Sequence, residues 1–250
     1  MNMNRFQALS QMAVKAARLS GAYLLKNKAV AKTVDIEKAH DIKLSIDRFS
    51  ERRIVQYLKK HSPFSILSEE AGKLKGKDEE YIWVVDPLDG TINYFHQIPL
   101  SCVSIALCRG ESPVIGVIYD FTRDELFTGI VKKGAYLNGR RIHVSQIKNK
   151  RRAVLATGFP GQTDLSAGNL ATFCRYVKTY KKVRLIGTAA LSMAYVASGR
   201  FDAYIEKDIM LWDVAAGMAI VQAAGGQCHI EPTKHAHGYQ VSAHNGFLGA

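Results

Sequence analysis

The chain has 250 residues, 47% hydrophobic and 22% charged, the mix of an ordinary globular protein, and that length suits one large domain or two closely packed halves. No stretch is long and apolar enough to span a bilayer. The formal charge is +12 and the pI is near 9.5, which allows steering of anions or contact with nucleic acid. The basic residues sit in short clusters such as Lys148-Asn149-Lys150-Arg151-Arg152 and Lys181-Lys182. These lack the interleaved aromatics of a single-strand groove, so a solvated basic surface is the expectation and nucleic acid is not favoured.

Phe6, Leu9, Ala13, Ala16 and Leu19 recur at helical spacing, so an amphipathic helix is expected near the start. The opening Met1-Asn2-Met3-Asn4-Arg5 runs into this pattern without an apolar leader and cleavage site, which predicts a cytoplasmic protein. Thr33 to Leu44 alternates like a hairpin. A second helix is expected from Asp47 to Lys60, burying Ile46, Phe49, Ile54, Tyr57 and Leu58, with Pro63 just beyond. The centre reads as strands: Ile82–Val85, Cys102–Leu107, Val114–Tyr119 and Glu125–Ile130. Asn138-Gly139 then marks a tight hairpin.

The remainder alternates. Strands are expected at Ala153–Ala156, Val183–Ile186 and Ala203–Glu206. Helices are expected at 165–179, Thr188–Ser198 and Trp212–Ala224, and two strands close the chain. The pattern predicts an α/β (α+β) protein of layered sheets and helices. It reads as a single unit over residues 1–250, in halves 1–147 and 148–250, with the polar seam at Gln146–Arg152. Cys102, Cys108, Cys174 and Cys228 form no C-x-x-C pair, the usage of a reducing compartment.

The segment Trp83-Val84-Val85-Asp86-Pro87-Leu88-Asp89-Gly90-Thr91-Ile92-Asn93 stands out. A buried strand delivers a carboxylate at its end, and a second follows three residues later, then a glycine and a hydroxyl. Two unpaired acids this close repel, and a hard divalent cation such as magnesium removes the conflict. Gly90 lets backbone amides approach a phosphate. Two further acidic sites, Ser68-Glu69-Glu70 and Trp212-Asp213, read on their own as solvated surface and a helix cap. His235 and His237 read as solvated, and His96 as structural. Ser68, Ser192 and the cysteines lack the partnered base of a nucleophile, which excludes a covalent phospho-enzyme.

Taken together, these residues resemble the inositol monophosphatase family. Asp86-Pro-Leu-Asp-Gly-Thr91 with Asn93 is similar to its first signature, and Trp212-Asp-Val-Ala-Ala-Gly217 to its second. Ser68-Glu-Glu70, Asp47 and Gly187-Thr-Ala189 match further elements in the family's order. The resemblance implies a layered α-β-α-β-α sandwich of the sugar-phosphatase type, a homodimer, two or three Mg2+ ions and inhibition by lithium. It places Glu69, Asp86 and the Leu88 carbonyl on one metal, and Asp86, Asp89 and Asp213 on another. The first metal would lower the pKa of the attacking water, and the second would stabilise the leaving alkoxide.

By the same resemblance Thr91, paired with Asp47, would help deprotonate that water, alongside Glu69. Gly90 and Thr91 amides would hold the phosphate. Asp89, Ala189, Glu206 and Asp213 would line the substrate side. Ile42-Lys43-Leu44-Ser45 departs from the Val-Thr pair common before the Asp47 position, which bears on the third metal. The expected substrate is a small phosphate monoester of a polyol or sugar, inositol monophosphate foremost. Asn93-Tyr94 and Glu206 favour this branch, whereas Ser68 resembles the bisphosphate nucleotidase branch. A 3'(2'),5'-bisphosphate nucleotidase and a fructose-1,6-bisphosphatase are the alternatives within the fold. A nucleic-acid-binding regulatory protein is the alternative outside enzymes.

Overall fold

The computed structural model describes residues 3–28, 34–38, 41–159 and 166–248. Helix α1 (Met3–Asn27), the hairpin β1 (Val34–Lys38) and β2 (Asp41–Leu44), and helix α2 (Ser45–His61) come first. An eight-stranded sheet follows, built from β3 (Phe64–Ser68), β4 (Gly72–Leu74), β5 (Asp78–Asp89), β6 (Cys102–Arg109), β7 (Ser112–Asp120), β8 (Glu125–Ile130), β9 (Gly134–Leu137) and β10 (Arg140–Ile142). A short helix α3 (Thr91–Phe95) interrupts it after β5. The strand order is β10-β9-β8-β7-β6-β5-β3-β4, and only the β3–β5 pair is parallel.

Residues 143–153 cross to a second sheet. It holds β11 (Val154–Ala156), β12 (Lys182–Arg184), β13 (Ala203–Met210), β14 (Gln227–Pro232) and β15 (Gly238–His244), in the order β12-β11-β13-β15-β14. Helices α4 (Ala167–Thr179), α5 (Ala189–Ala197) and α6 (Leu211–Ala223) punctuate it.

The layers follow from which faces are apolar. Helices α1 and α2 pack together and onto one face of the eight-stranded sheet, enclosing Leu9, Ala13, Leu24, Ile54, Leu58 and Trp83. Every residue of α5 is buried, as are the eight consecutive residues Val214 to Val221 of α6, because both helices lie between the two sheets. A helix apolar all round belongs in such a position. Helix α4, with no buried residue, lies against β12. The result is the α-β-α-β-α sandwich that the resemblance implies. Among the described residues no helix is long and apolar enough to cross a membrane.

Several elements differ from the sequence expectation for identifiable reasons. Leu19 and Phe49 were expected in buried stripes but are 47% and 46% exposed. On α2 the sheet is met by Ile46, Ser50, Ile54 and Leu58, a strict four-residue line, and Phe49 stands about 100° away from it. The Ser50 hydroxyl donates to the Pro87 carbonyl at 2.8 Å, so a polar residue occupies the line where a hydrophobic one was sought. The expected fourth helix begins at Ala167, and Leu165 lies outside the described residues. Strand β12 stops at Arg184 because the Ile186 and Gly187 carbonyls turn towards Asn93. Strand β13 runs on to Met210 through an irregularity after Glu206. The Asn138-Gly139 hairpin forms as expected, with φ of 48° and 77°.

Candidate active site

The site grows from the carboxyl end of β5. Asp86 pairs with Ser104 and Asp89 with Cys102, so three steps along β5 span two along β6. Ser104 and Cys102 point to one face, and the extra residue in β5 therefore brings Asp86 and Asp89 to that face as well. Without this bulge the two acids would face opposite sides of the sheet. The Asp86 carboxylate accepts the Leu88 N–H at 2.9 Å, closing the turn. Gly90 follows at φ 83°, and a Cβ there would stand 2.7 Å from the Leu100 carbonyl oxygen. Only glycine satisfies both the left-handed backbone and that approach.

Three other segments deliver the remaining acids. Glu69 follows β3, whose end is tied to β5 by the bond from the Glu69 N–H to the Val85 carbonyl at 3.2 Å. The buried Glu51 carboxylate on α2 accepts the Glu70 and Ala71 N–H groups at 3.2 and 3.0 Å and so shapes that turn. Asp213 is the third residue of α6 and accepts the Met210 N–H at 3.2 Å. The cap expected of this residue is real, yet its carboxyl also belongs to the acidic cluster, where the charge of Asp213 raises the Asp86 carboxyl. Asp47, buried near the start of α2, accepts the Leu44 N–H at 2.9 Å.

Asp89 is clasped from the second half of the chain. Its carboxylate accepts the Thr188 hydroxyl, the Ala190 N–H at 2.8 Å and the Cys102 thiol at 3.8 Å. Thr188 caps α5 as it does so, since its oxygen accepts the Leu191 N–H at 3.3 Å. Ala189 lies within this clasp, at the first turn of α5. The Asn93 amide nitrogen donates to the carbonyls of Leu100 and Ile186, both at 2.8 Å, and reaches that of Gly187 at 3.4 Å. One buried side chain thus joins the turn after β5 to the loop before α5.

The electrostatics record crowding. Burial raises the Asp86 carboxyl well above the usual range, and the charges of Glu69, Asp89 and Asp213 raise it further. Asp213 is raised by burial, then by Asp89 and Glu69. Asp89 is lifted to about 6 by burial, against the pull of its Thr188 and Ala190 bonds. Among the described residues no cationic side chain figures in these influences.

Four oxygen-rich groups that repel one another, with a backbone carbonyl at Leu88 beside them, form a donor set suited to a hard divalent cation. Among the described residues no three acidic, histidine or cysteine side chains stand close enough together to hold a metal ion as they lie. That openness accords with the mutual repulsion and with the donors that hold Asp89. The oxygen donors suit a hard cation, and Glu69, Asp86, Asp89, Asp213 and the Leu88 carbonyl are the groups that would hold such ions. The Thr91 hydroxyl donates to the Leu88 carbonyl at 3.0 Å and not to Asp47, the pairing expected from the resemblance. A hydroxyl has one proton to donate, and here the Leu88 carbonyl takes it.

Glu206 precedes the exposed Lys207 in the sequence. It is buried, at 8% exposure, on β13. The Tyr204 hydroxyl donates to it at 2.9 Å. Burial lifts its carboxyl to about 8, with the Tyr204 bond opposing and the Asp89 charge adding. The place behind it is kept by Gly158: a Cβ there would lie 2.7 Å from both carboxylate oxygens.

Thr188 lies within the Gly187-Thr-Ala189 element, whereas the supporting residues Glu51, Gly158 and Tyr204 carry no motif of their own. Tyr204 alone had a signal, since positions two apart on a strand share a face. His96 is exposed at the end of α3, outside the acidic cluster. His237 packs its ring near Trp212, with centroids 6.2 Å apart.

A layered sandwich with acids gathered where strand ends meet helix starts defines the sugar-phosphatase class of architecture. The chain belongs to the inositol monophosphatase family, whose sequence profile matches residues 6–241. It is 37% identical over 237 residues to a protein of Pasteurella multocida named Nus factor SuhB, covering 93% of this chain and 88% of that one. It is 40% identical over 191 residues to inositol-1-monophosphatase of Synechocystis, covering 76% of this chain and 67% of that one. The structure of an inositol monophosphatase from Anabaena (Nostoc) superposes with a TM-score of 0.85 at 39% identity, covering 97% of this chain and 92% of that one.

Proposed function

We propose that the protein hydrolyses a small phosphate monoester, with magnesium as cofactor and a polyol or sugar as the alcohol released. The observation that carries the reaction is the crowding of Glu69, Asp89 and Asp213 around the buried Asp86, whose charges raise its carboxyl beyond what burial alone does. When bound, divalent ions supply charge neutralisation, a lowered pKa for the attacking water and a counter-charge to the leaving alkoxide. The chain's own residues do the positioning. Gly90 leaves room for its amide and that of Thr91 to approach phosphate oxygens. Thr91, together with Asp47 and Glu69, would orient the water and take up its proton.

The clasp on Asp89 fixes one carboxylate oxygen and leaves the other to face the reacting group. The Ala189 region and Glu206 face the alcohol. Support for a hydroxyl-rich substrate comes from Glu206. A carboxyl buried, backed by a glycine and supplied with one donor, has acceptor capacity left for substrate hydroxyls. Lithium inhibition, a homodimer and a cytoplasmic location belong to this reading as expectations.

The test is a phosphate-release panel run with magnesium and with excess chelator. The substrates are inositol 1-phosphate, adenosine 3',5'-bisphosphate, fructose 1,6-bisphosphate and an aryl phosphate. Magnesium-dependent turnover with inositol phosphate preferred supports the proposal. Preference for either bisphosphate moves the substrate to that branch, and robust turnover in chelator refutes the metal assignment. A second reading rests on the name Nus factor carried by relatives such as that of P. multocida: a binding role on the same fold. Absence of magnesium-dependent release from every substrate would favour it.

A further inference from the structure

The positive charge of this chain is concentrated in one stretch. Residues 126–201 hold fourteen lysines and arginines and one acid, Asp164, so this stretch carries +13 against +12 for the whole chain. The rest of the molecule is close to neutral. Charges on an ordinary solvated surface are mixed in sign. Here much of the stretch is folded onto one corner.

That corner is the β12 edge of the five-stranded sheet. A 3-10 turn, Lys150–Arg152, enters β11, and the Lys181 N–H bonds the carbonyls of Lys150 and Ala153 at 3.2 and 2.9 Å. The parallel pairing of β11 with β12 then sets Val154 beside Lys182 and Ala156 beside Arg184. Arg151, Arg152, Lys181, Lys182 and Arg184 are all exposed. Among the described residues none of them has an acidic partner at ion-pair distance. A few edge lysines are an ordinary guard against edge-to-edge pairing. Five exposed cations drawn from two segments, unpaired among the described residues, exceed that need.

The tertiary structure also supplies what the local sequence lacks. The chain's last described residues return to this corner. Leu248 is buried with Ala153, Leu155, Tyr180 and Ala203, and the Asn245 amide donates to the Ile147 carbonyl at 2.8 Å. These two anchors hold Phe247 between them with half its surface exposed. Lys148 lies over its ring, 5.4 Å from the centroid. An exposed, fixed aromatic ring beside a row of unpaired cations combines a stacking platform with a backbone track.

We propose that this corner binds single-stranded nucleic acid, with the β12 edge and the Lys150–Arg152 turn on the phosphates and Phe247 under a base. The reaction of the acidic site is separate and is not required for it. An acidic protein segment would match the charge but has no flat base to place on Phe247. Substrate steering would need the charge but not the ring.

The test is fluorescence anisotropy of a labelled mixed-sequence oligonucleotide, long enough to cover roughly 4–16 nucleotides, titrated at several salt concentrations. The variants are Lys181→Gln/Lys182→Gln/Arg184→Gln, Phe247→Ala, and a control, Lys132→Gln/Lys133→Gln/Arg140→Gln/Arg141→Gln, on the β9–β10 hairpin. Thermal unfolding checks that each is folded. The triple variant should lower the slope of log affinity against log salt by about 2 in magnitude. Phe247→Ala should weaken binding on the order of tenfold with the slope unchanged. The hairpin control, which removes more charge, should weaken binding less than the triple variant. Equal weakening by control and triple variant would reduce the effect to net charge and overturn the proposal. So would an unaltered affinity in Phe247→Ala, or a poly-glutamate peptide that competes as well as the oligonucleotide.

Discussion

Replacing Glu206 by Gln tests the buried acid in two independent ways. The first is stability. The carboxyl is lifted from the ordinary 4.5 to about 8 in the fold. A raised acid contributes its full stability at low pH, where both folded and unfolded forms are protonated. That contribution is lost as pH rises from the unfolded value through the folded one, because the unfolded chain ionises first. The full shift corresponds to at most about 5 kcal/mol above pH 8, and we expect ~2 kcal/mol once water entry and side-chain relaxation are allowed for. Gln is close to the shape of the protonated acid, can still accept from Tyr204 and cannot ionise.

Glu206→Gln should therefore leave unfolding free energy near that of the parent at pH 5 and exceed it increasingly up to pH 8.5. Urea denaturation in chelator at a series of pH values measures this. A difference independent of pH would show that Glu206 ionises in the fold as freely as in the unfolded chain. The second readout is catalysis. Loss of an acceptor for substrate hydroxyls should lower kcat/KM for inositol phosphate by roughly 10- to 100-fold, about 1.4–2.8 kcal/mol. An aryl phosphate, without hydroxyls, should be nearly unaffected. Equal losses on both substrates would refute the role in substrate choice.

Asp86→Asn should abolish magnesium-dependent turnover while raising the stability of the metal-free protein, since it removes the charge that Glu69, Asp89 and Asp213 crowd; paired activity and denaturation measurements check both, and near-normal turnover would refute the metal assignment. Thr91→Ala should lower kcat by roughly 10²–10⁴-fold with KM nearly unchanged, as expected of a group acting in the transition state; steady-state kinetics in which KM alone rises would make Thr91 a phosphate holder. Gly158→Ala drives a methyl to 2.7 Å from both Glu206 oxygens, so it should cost ~1–3 kcal/mol by overpacking and reproduce the substrate-selective loss of Glu206→Gln. Wild-type stability and wild-type discrimination in that variant would show that Glu206 is not held where the structure places it.

The sequence by itself determined the family, the layered class and the identities of the acids. Helices such as α5 and α6 are apolar at nearly every position and could only lie inside. Asp86-Pro-Leu-Asp89-Gly-Thr91 is local chemistry, in which a strand end, a turn and two acids lie within six residues. What tertiary structure decided is whatever depends on residues far apart in the chain.

Periodicity placed Phe49 and Leu19 in stripes, because a helical pattern does not say which of two adjacent lines meets the sheet. The bulge that turns Asp89 to the side of Asp86 depends on the register of β5 against β6. The donors that hold Asp89 come from Thr188 and Ala190, about a hundred positions away. Glu206 could be a surface acid or a buried one until Gly158 and Tyr204 were seen to surround it. Lys148 and Phe247 lie at opposite ends of the second half of the chain, and only the anchoring of Leu248 in the core brings the ring beneath the cation. Burial, register and long-range contact are properties of the packed chain, and no window of sequence contains both partners.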